Sequence, residues 1–290
     1  MTRAYKAILV SGANGVVGQP LVHRLIEAGL SFGSITRSKR EGQIQWDLEV
    51  EPSEGIIEQI SRFDCLIHCA PIWLLPNRLE IFKKAGINRV IAFSSTSVIS
   101  KQKSSNPIEQ KLVERLSNAE SELIAFCHSE GISVTILRPT MIYGYGRDQN
   151  VSHIARLIKK FGFMVLVGKA QGLRQPVHAD DLVDACYSVL NATSELRDTY
   201  NLAGGEALSY RAMVERIFFG LQAKARIVSL PLGVFRFLLW LASKFTSFDY
   251  TPEMANRMNQ DLSYSNQPAI EDFGYAPQSF LENPKRDLVG

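Results

Sequence analysis

One stretch near the start restricts the chain more than any other: residues 6–18, KAILVSGANGVVG. Residues 7–10 are a short apolar run that ends in Ser11-Gly12, and Gly15 and Gly18 follow. Leu21, Val22, Leu25 and Ile26 then recur at helical spacing. The pattern predicts a buried strand, a tight glycine turn and a helix. Glycines let a backbone turn sharply and approach a ligand with no Cβ in the way. The first helical turn aims unpaired N–H groups and the positive end of the dipole at an anion. The chemistry that fits is a pyrophosphate, held by Gly12, Asn14, Gly15, Val16, Val17 and Gly18. The other reading of the same residues is a glycine-rich turn that holds nothing.

Strand and helix signals alternate through the first half, which predicts an α/β fold with a Rossmann-type, doubly wound parallel sheet. Strands are expected at residues 32–36, 43–48, 63–70, 89–95 and 132–137, and helices at 77–85 and 107–129. On the last helix Leu112, Leu116, Leu123 and Phe126 form an apolar face. Beyond Tyr143 the pattern becomes mostly helical, around residues 151–161, 181–190, 209–221 and 231–245, while 199–202 is expected to rejoin the sheet. The expected organisation is a dinucleotide-binding domain over 1–145, with a return segment near 175–205. A smaller, discontinuous and mostly helical substrate domain covers 146–290.

Bulk properties exclude several classes. A hydrophobic content of 46% with 21% charged residues suits a globular protein with a large core. The net charge of +3 and the lack of a long basic run argue against a nucleic-acid partner. Cys65, Cys69, Cys127 and Cys186 have no paired metal spacing; they read as buried thiols in a reducing compartment, and no metal is expected. The leading MTRAYK runs into the first strand without a secretory pattern, so a cytoplasmic location is expected. From Val234 to Phe245 the chain reads VFRFLLWLASKF, too short to span a membrane and interrupted by Arg236 and Lys244. An amphipathic helix is expected there. A homo-oligomer or protein-partner surface and an interfacial membrane contact are the alternatives.

The expected second strand ends at Thr36-Arg37, with Ser38, Lys39 and Arg40 behind. In dinucleotide folds an acid at this point bonds the ribose 2′-hydroxyl of NAD, whereas arginine accommodates the 2′-phosphate of NADP. Arg37 with no neighbouring carboxylate points to NADP over NAD, and a solvated basic loop is the plainer alternative.

The G-x-x-G-x-x-G spacing resembles the extended short-chain dehydrogenase/reductase superfamily, the branch of nucleotide-sugar epimerases and dehydratases. Three later segments resemble it in the same order: LRPTMIYGYG at 137–146, RQPVHADDL at 174–182 and TYNLAGGEALS at 199–209. The closing stretch 258–275 is similar too, with Phe273 and Tyr275 as packing residues. The resemblance implies that Asp47-Leu48 meets the adenine and that the His68-Cys69-Ala70-Pro71 segment runs beside the cofactor, with His68 itself a satisfied sheet histidine. It implies that Ser94 and Pro139 lie near the nicotinamide, and that Ser95 or Thr96 bonds the reacting oxygen of the substrate. Arg174 would meet a substrate phosphate, or else form an ion pair with Asp180 or Asp181.

The family's acid/base pair is a tyrosine with a lysine four residues on, one above the other on a helix face so that the lysine lowers the phenol pKa. No tyrosine in this chain has a lysine four residues later; Tyr143 with Arg147 comes nearest. On the helix at 107–129 the corresponding positions are Glu114 and Asn118. The charged Glu109, Lys111 and Glu114 there read as a solvated face. The chain therefore resembles an atypical member, a group that holds both active reductases with other proton donors and proteins that bind the dinucleotide without turnover. The expected activity is hydride transfer on a nucleotide-sugar or similar small anionic metabolite. Tyr143 or a bound water is the candidate proton donor, and a non-catalytic sensor, assembly factor or complex subunit is the alternative.

Overall fold

The computed structural model describes residues 7–38, 41–235 and 256–288. The chain divides into two compact units: residues 1–140, 179–202 and 265–276 form the first, and the remaining segments the second.

In the first unit, β1 (Ile8–Ser11) runs into the glycine turn and α1 (Gly18–Glu27). There follow β2 (Phe32–Thr36), β3 (Ile44–Gln45), α2 (Glu54–Ile60), β4 (Cys65–His68), α3 (Leu79–Lys84), β5 (Arg89–Phe93), α4 (Ser97–Ser100), α5 (Pro107–Ser129) and β6 (Ser133–Pro139). The helix Ala179–Asn191 and the strand Thr199–Leu202 return to the same unit. The seven strands lie in the order Thr199–Leu202, β6, β5, β4, β1, β2, β3, and every pairing is parallel. The chain lays strands outward from β1 in one direction, then restarts at β4 and proceeds in the other. Between β1 and β4 it leaves a switch point, where an open α/β sheet has its crevice at the carboxyl ends of the strands.

The central strands are apolar throughout because both faces are covered: Leu9, Leu66, Ile67, Ile91 and Ile136 are fully buried. Against one face lies α5. Its start is set by Asn106, whose side chain accepts from the Ile108 N–H at 2.9 Å, and by Pro107 in the first turn. Leu116, Ala119, Leu123 and Cys127 form its buried stripe, with Leu112 and Phe126 at the margin.

Two elements differ from the sequence expectation. The third strand pairs over only two residues, after which the Trp46 N–H continues to Thr36 O and the chain turns, Val50 N–H bonding Asp47 O. The expected helix at 77–85 begins as a tight 3₁₀ turn at Pro76–Arg78. There Arg78 is buried and its Nε donates to Leu48 O at 2.7 Å.

The second unit has its own core. The helices Val151–Phe161 and Tyr210–Gly220 enclose Ile154, Ile158, Met213 and Ile217, and Met164–Val167 pairs in parallel with Ile227–Leu230. His178 and Asp287, both fully buried, meet at 3.1 Å within it. Of the apolar stretch from Val234 to Phe245, residues 236–245 lie outside the described residues. Among the described residues no helix is long and apolar enough to cross a membrane, and no cluster of His, Cys, Asp or Glu is arranged for a metal.

Candidate functional site

The carboxyl ends of β1, β2 and β4 open into a cleft of about 670 Å³. The glycine turn forms its floor. Gly12 has φ of +74°, and a Cβ on it would stand 2.6 Å from Ala70 N. Gly18 packs so tightly on the turn that a Cβ there would strike the Gly12 carbonyl and lie 2.8 Å from Ala13 Cα. These two glycines let β1, the turn, α1 and the β4 end meet backbone to backbone. The Gly15 N–H closes the turn on Gly12 O at 2.9 Å. No side chain caps α1 and no acid stands in its first turn, so its end is left open to an anion.

Beneath the floor is a neutral strut. Register places Ser11 beside His68, and Ser11 Oγ lies 2.6 Å from His68 Nδ1. His68 Nε2 lies 3.1 Å from Pro71 O. A carbonyl only accepts, so Nε2 carries the proton and Nδ1 accepts from the Ser11 hydroxyl. Burial pushes the His68 pKa down to about 4, the Pro71 hydrogen bond opposing it in part. His68 thus ties the ends of β1 and β4 together and does not itself line the cleft.

Of the residues singled out in the sequence, Gly12, Asn14, Gly15, Arg37, Asp47, Leu48, Ala70 and Pro71 line this one cleft. Arg37 is exposed, and among the described residues its guanidinium has no hydrogen bond or carboxylate partner. Asp47 accepts from the Glu49 N–H at 3.1 Å, holding the turn after β3. Val16, Val17 and Gly18 belong to the turn and to the root of α1. Sequence reasoning missed Trp46, Trp73 and Arg115, which also line the cleft.

At the end of β5, Ser94 Oγ is buried with no hydrogen-bond partner among the described residues. Ser95 Oγ donates to Ser97 Oγ at 3.0 Å and accepts from the Ser97 N–H at 3.1 Å. Thr96 is buried, its hydroxyl spent on Pro139 O at 3.2 Å. On α5, Glu109 is not part of a solvated face: it is buried, accepting from Ser104 Oγ at 2.6 Å and pairing with Lys101 at 3.3 Å. Glu120 is buried against Arg138, which grips it with two nitrogens.

Two singled-out residues belong to the second unit. Tyr143 is 1% exposed, and its hydroxyl accepts from the Leu281 N–H at 3.0 Å. Its ring packs edge-on to His178 and Phe280. Arg174, 5% exposed, donates to the carbonyls of Leu173, Gln260 and Arg257. Burial is the largest influence on that guanidinium and lowers its pKa. Its hydrogen-bonding partners are thus backbone carbonyls, not the Asp180 or Asp181 carboxylates.

The parallel sheet with its switch-point cleft, glycine cradle and open helix end defines a Rossmann-type fold. Residues 76–203 match the model of the NAD dependent epimerase/dehydratase family. That stretch of the chain is similar to an NAD dependent epimerase/dehydratase domain. The chain is 22% identical to the UDP-glucose 4-epimerase of Vibrio cholerae, over 97% of each chain. It is 23% identical to the 2-alkyl-3-oxoalkanoate reductase of Stenotrophomonas maltophilia, over 97% of this chain and 98% of that one. Among solved structures, the UDP-glucuronic acid 4-epimerase of Bacillus cereus in complex with NAD superposes with a TM-score of 0.75 at 16% identity, covering 97% of this chain and 95% of that one.

Proposed function

We propose that this chain binds NADP in the β1–β2–β4 cleft and acts as an oxidoreductase or epimerase of the extended short-chain class. The observation that carries the reading is the cleft itself. A pyrophosphate cradle at Gly12–Gly18 shares one cavity with Arg37, whose guanidinium has no partner among the described residues. The residues present fit a dinucleotide: the glycines make room that a Cβ would fill, and the α1 end presents no acid. Gly12, Asn14 and Gly15 would hold the pyrophosphate, Arg37 a 2′-phosphate, and Asp47 and Leu48 the adenine edge. Bound there, the nicotinamide supplies hydride transfer at an alcohol or carbonyl carbon.

Ser95 is the better placed of the two hydroxyls for orienting a substrate oxygen. It is part-exposed, whereas Thr96 is buried on Pro139. Tyr143 is buried and its hydroxyl already accepts a backbone hydrogen bond, which favours a bound water as proton donor. The relatives are named for the 4-epimerisation of UDP-glucose and for reduction of a 2-alkyl-3-oxoalkanoate, and a UDP-sugar and an alkanoate are both anionic. A nucleotide-activated sugar or similar anionic metabolite is the substrate class proposed.

The second reading, dinucleotide binding without turnover, draws on the missing tyrosine-lysine pair. Titration with NADP and NAD by calorimetry separates the readings, followed by assays of nicotinamide absorbance with UDP-sugars and with 3-oxo acids. NADP binding tighter than NAD, lost selectively in Arg37→Gln by about 10-fold, is expected. Failure to bind either nucleotide overturns both readings, and a preference for NAD overturns the role given to Arg37.

A further inference from the structure

Two cations reach the cleft, and they arrive on different elements. Arg37 ends β2, whereas Arg115 stands in the middle of α5, on the helix from which the tyrosine-lysine pair is missing. The Arg115 guanidinium carbon lies 4.2 Å from the centroid of the Trp73 ring. Trp73, in the short turn Ile72–Leu74, lines the same cleft. Pro71 joins that turn to Cys69 and Ala70, whose backbone abuts Gly12.

We propose that Arg115, supported by Trp73, is a phosphate-binding arm of the cleft and acts on the pyrophosphate of the dinucleotide. The inference rests on the dinucleotide reading above. Three observations support it. First, among the described residues no carboxylate or carbonyl engages the Arg115 side chain, so its donors are open to a ligand. Second, stacking uses only the face of a guanidinium and leaves its in-plane N–H fork free, which is the geometry that grips phosphate oxygens. The ring also lowers the entropy lost when the arm orders on a ligand. Third, the arm is rooted: Leu116, Ala119 and Leu123 are buried and hold α5 on the sheet.

Position selects the phosphate. Arg37 stands at the end of β2, where the adenosine ribose is read. Arg115 stacks on Trp73, three residues after Ala70, and it is the Cys69-Ala70 backbone that abuts Gly12 of the glycine turn. The anion of Arg115 is therefore the pyrophosphate shared by NAD and NADP, not the 2′-phosphate found in NADP alone.

The test is calorimetric titration of wild type, Arg115→Gln, Arg115→Lys, Trp73→Phe and Trp73→Leu with NAD and with NADP. Arg115 is exposed, so its replacement leaves the thermal midpoint in place and reports on binding. Arg115→Gln is expected to weaken both nucleotides by about 10-fold or more, with their affinity ratio unchanged. Arg115→Lys keeps part of the affinity. Trp73→Phe, which preserves a ring, binds more tightly than Trp73→Leu. Unchanged affinity in Arg115→Gln, with wild type still binding, overturns this inference and leaves the dinucleotide reading standing. A loss confined to NADP overturns the pyrophosphate assignment. Wild type that binds neither nucleotide removes the dinucleotide reading, and the inference with it.

Discussion

His68 offers a quantitative test of how the cleft is built. The ring is fully buried, with Nδ1 2.6 Å from Ser11 Oγ and Nε2 3.1 Å from Pro71 O. A second proton on Nδ1 would turn the Ser11 hydroxyl away and place a charge where no water reaches. Burial accordingly lowers the pKa from 6.5 to about 4. The folded protein therefore takes up the proton later than the unfolded chain as pH falls. Stability due to the neutral ring is complete above the unfolded value of 6.5 and is lost as pH drops toward 4. The full difference corresponds to about 3 kcal/mol. Between about pH 7.5 and about pH 4.5 the loss is about 2.5 kcal/mol. A non-titrating variant, His68→Gln, lacks this component while sharing every other titration. Urea unfolding of the two proteins at both pH values should show wild type losing about 2.5 kcal/mol more than the variant. Parallel pH dependences would refute the reasoning, as would a His68 ring resonance that titrates at the ordinary value in the folded protein.

Other consequences can be checked separately. Gly18→Ala would force α1 away from the Gly12 carbonyl, so dinucleotide affinity should fall by about 10-fold or more in calorimetric titration; wild-type affinity would show that the tight packing is dispensable. Leu123→Ala opens a cavity between α5 and the sheet and should lower unfolding free energy by about 2–5 kcal/mol in urea titration. Burial pushes the thiols of Cys65 and Cys127 up to about 12. Mass spectrometry after iodoacetamide at neutral pH should therefore find them unmodified in the folded protein and both alkylated in denaturant.

Much of the first unit can be read along the chain, because what it requires is local. An apolar run, glycines at Gly12, Gly15 and Gly18, and a helical stripe behind them identify strand, turn and helix from neighbouring residues alone. Arg37 is legible for the same reason, since β2 follows α1 after one short loop and Arg37 comes next after its last residue. Third-strand pairing was harder to read: residues 43–48 alternate well enough for a strand, but the ladder stops after Gln45 as the chain turns at Asp47. Glu109 looked like a surface acid because charge patterning says nothing about the Ser104 and Lys101 side chains that bury it.

By itself, the sequence determined the parallel α/β class, the glycine turn between β1 and α1, the arginine after β2 and the absence of a tyrosine-lysine pair. Each is a property of residue type at short spacing. Only the tertiary structure decided what the distant side chains do. Arg174 is held by carbonyls of residues 257 and 260, Tyr143 is closed off by residue 281, and His68 is neutral because strand register sets Ser11 beside it. Arg115 is 42 positions from Trp73 in the chain, yet stacks on it at the cleft made by Gly12 and Gly15. Such partnerships arise from how a helix is set on a sheet, which depends on the packing of Leu116 and Leu123 and not on the residues beside Arg115 in sequence.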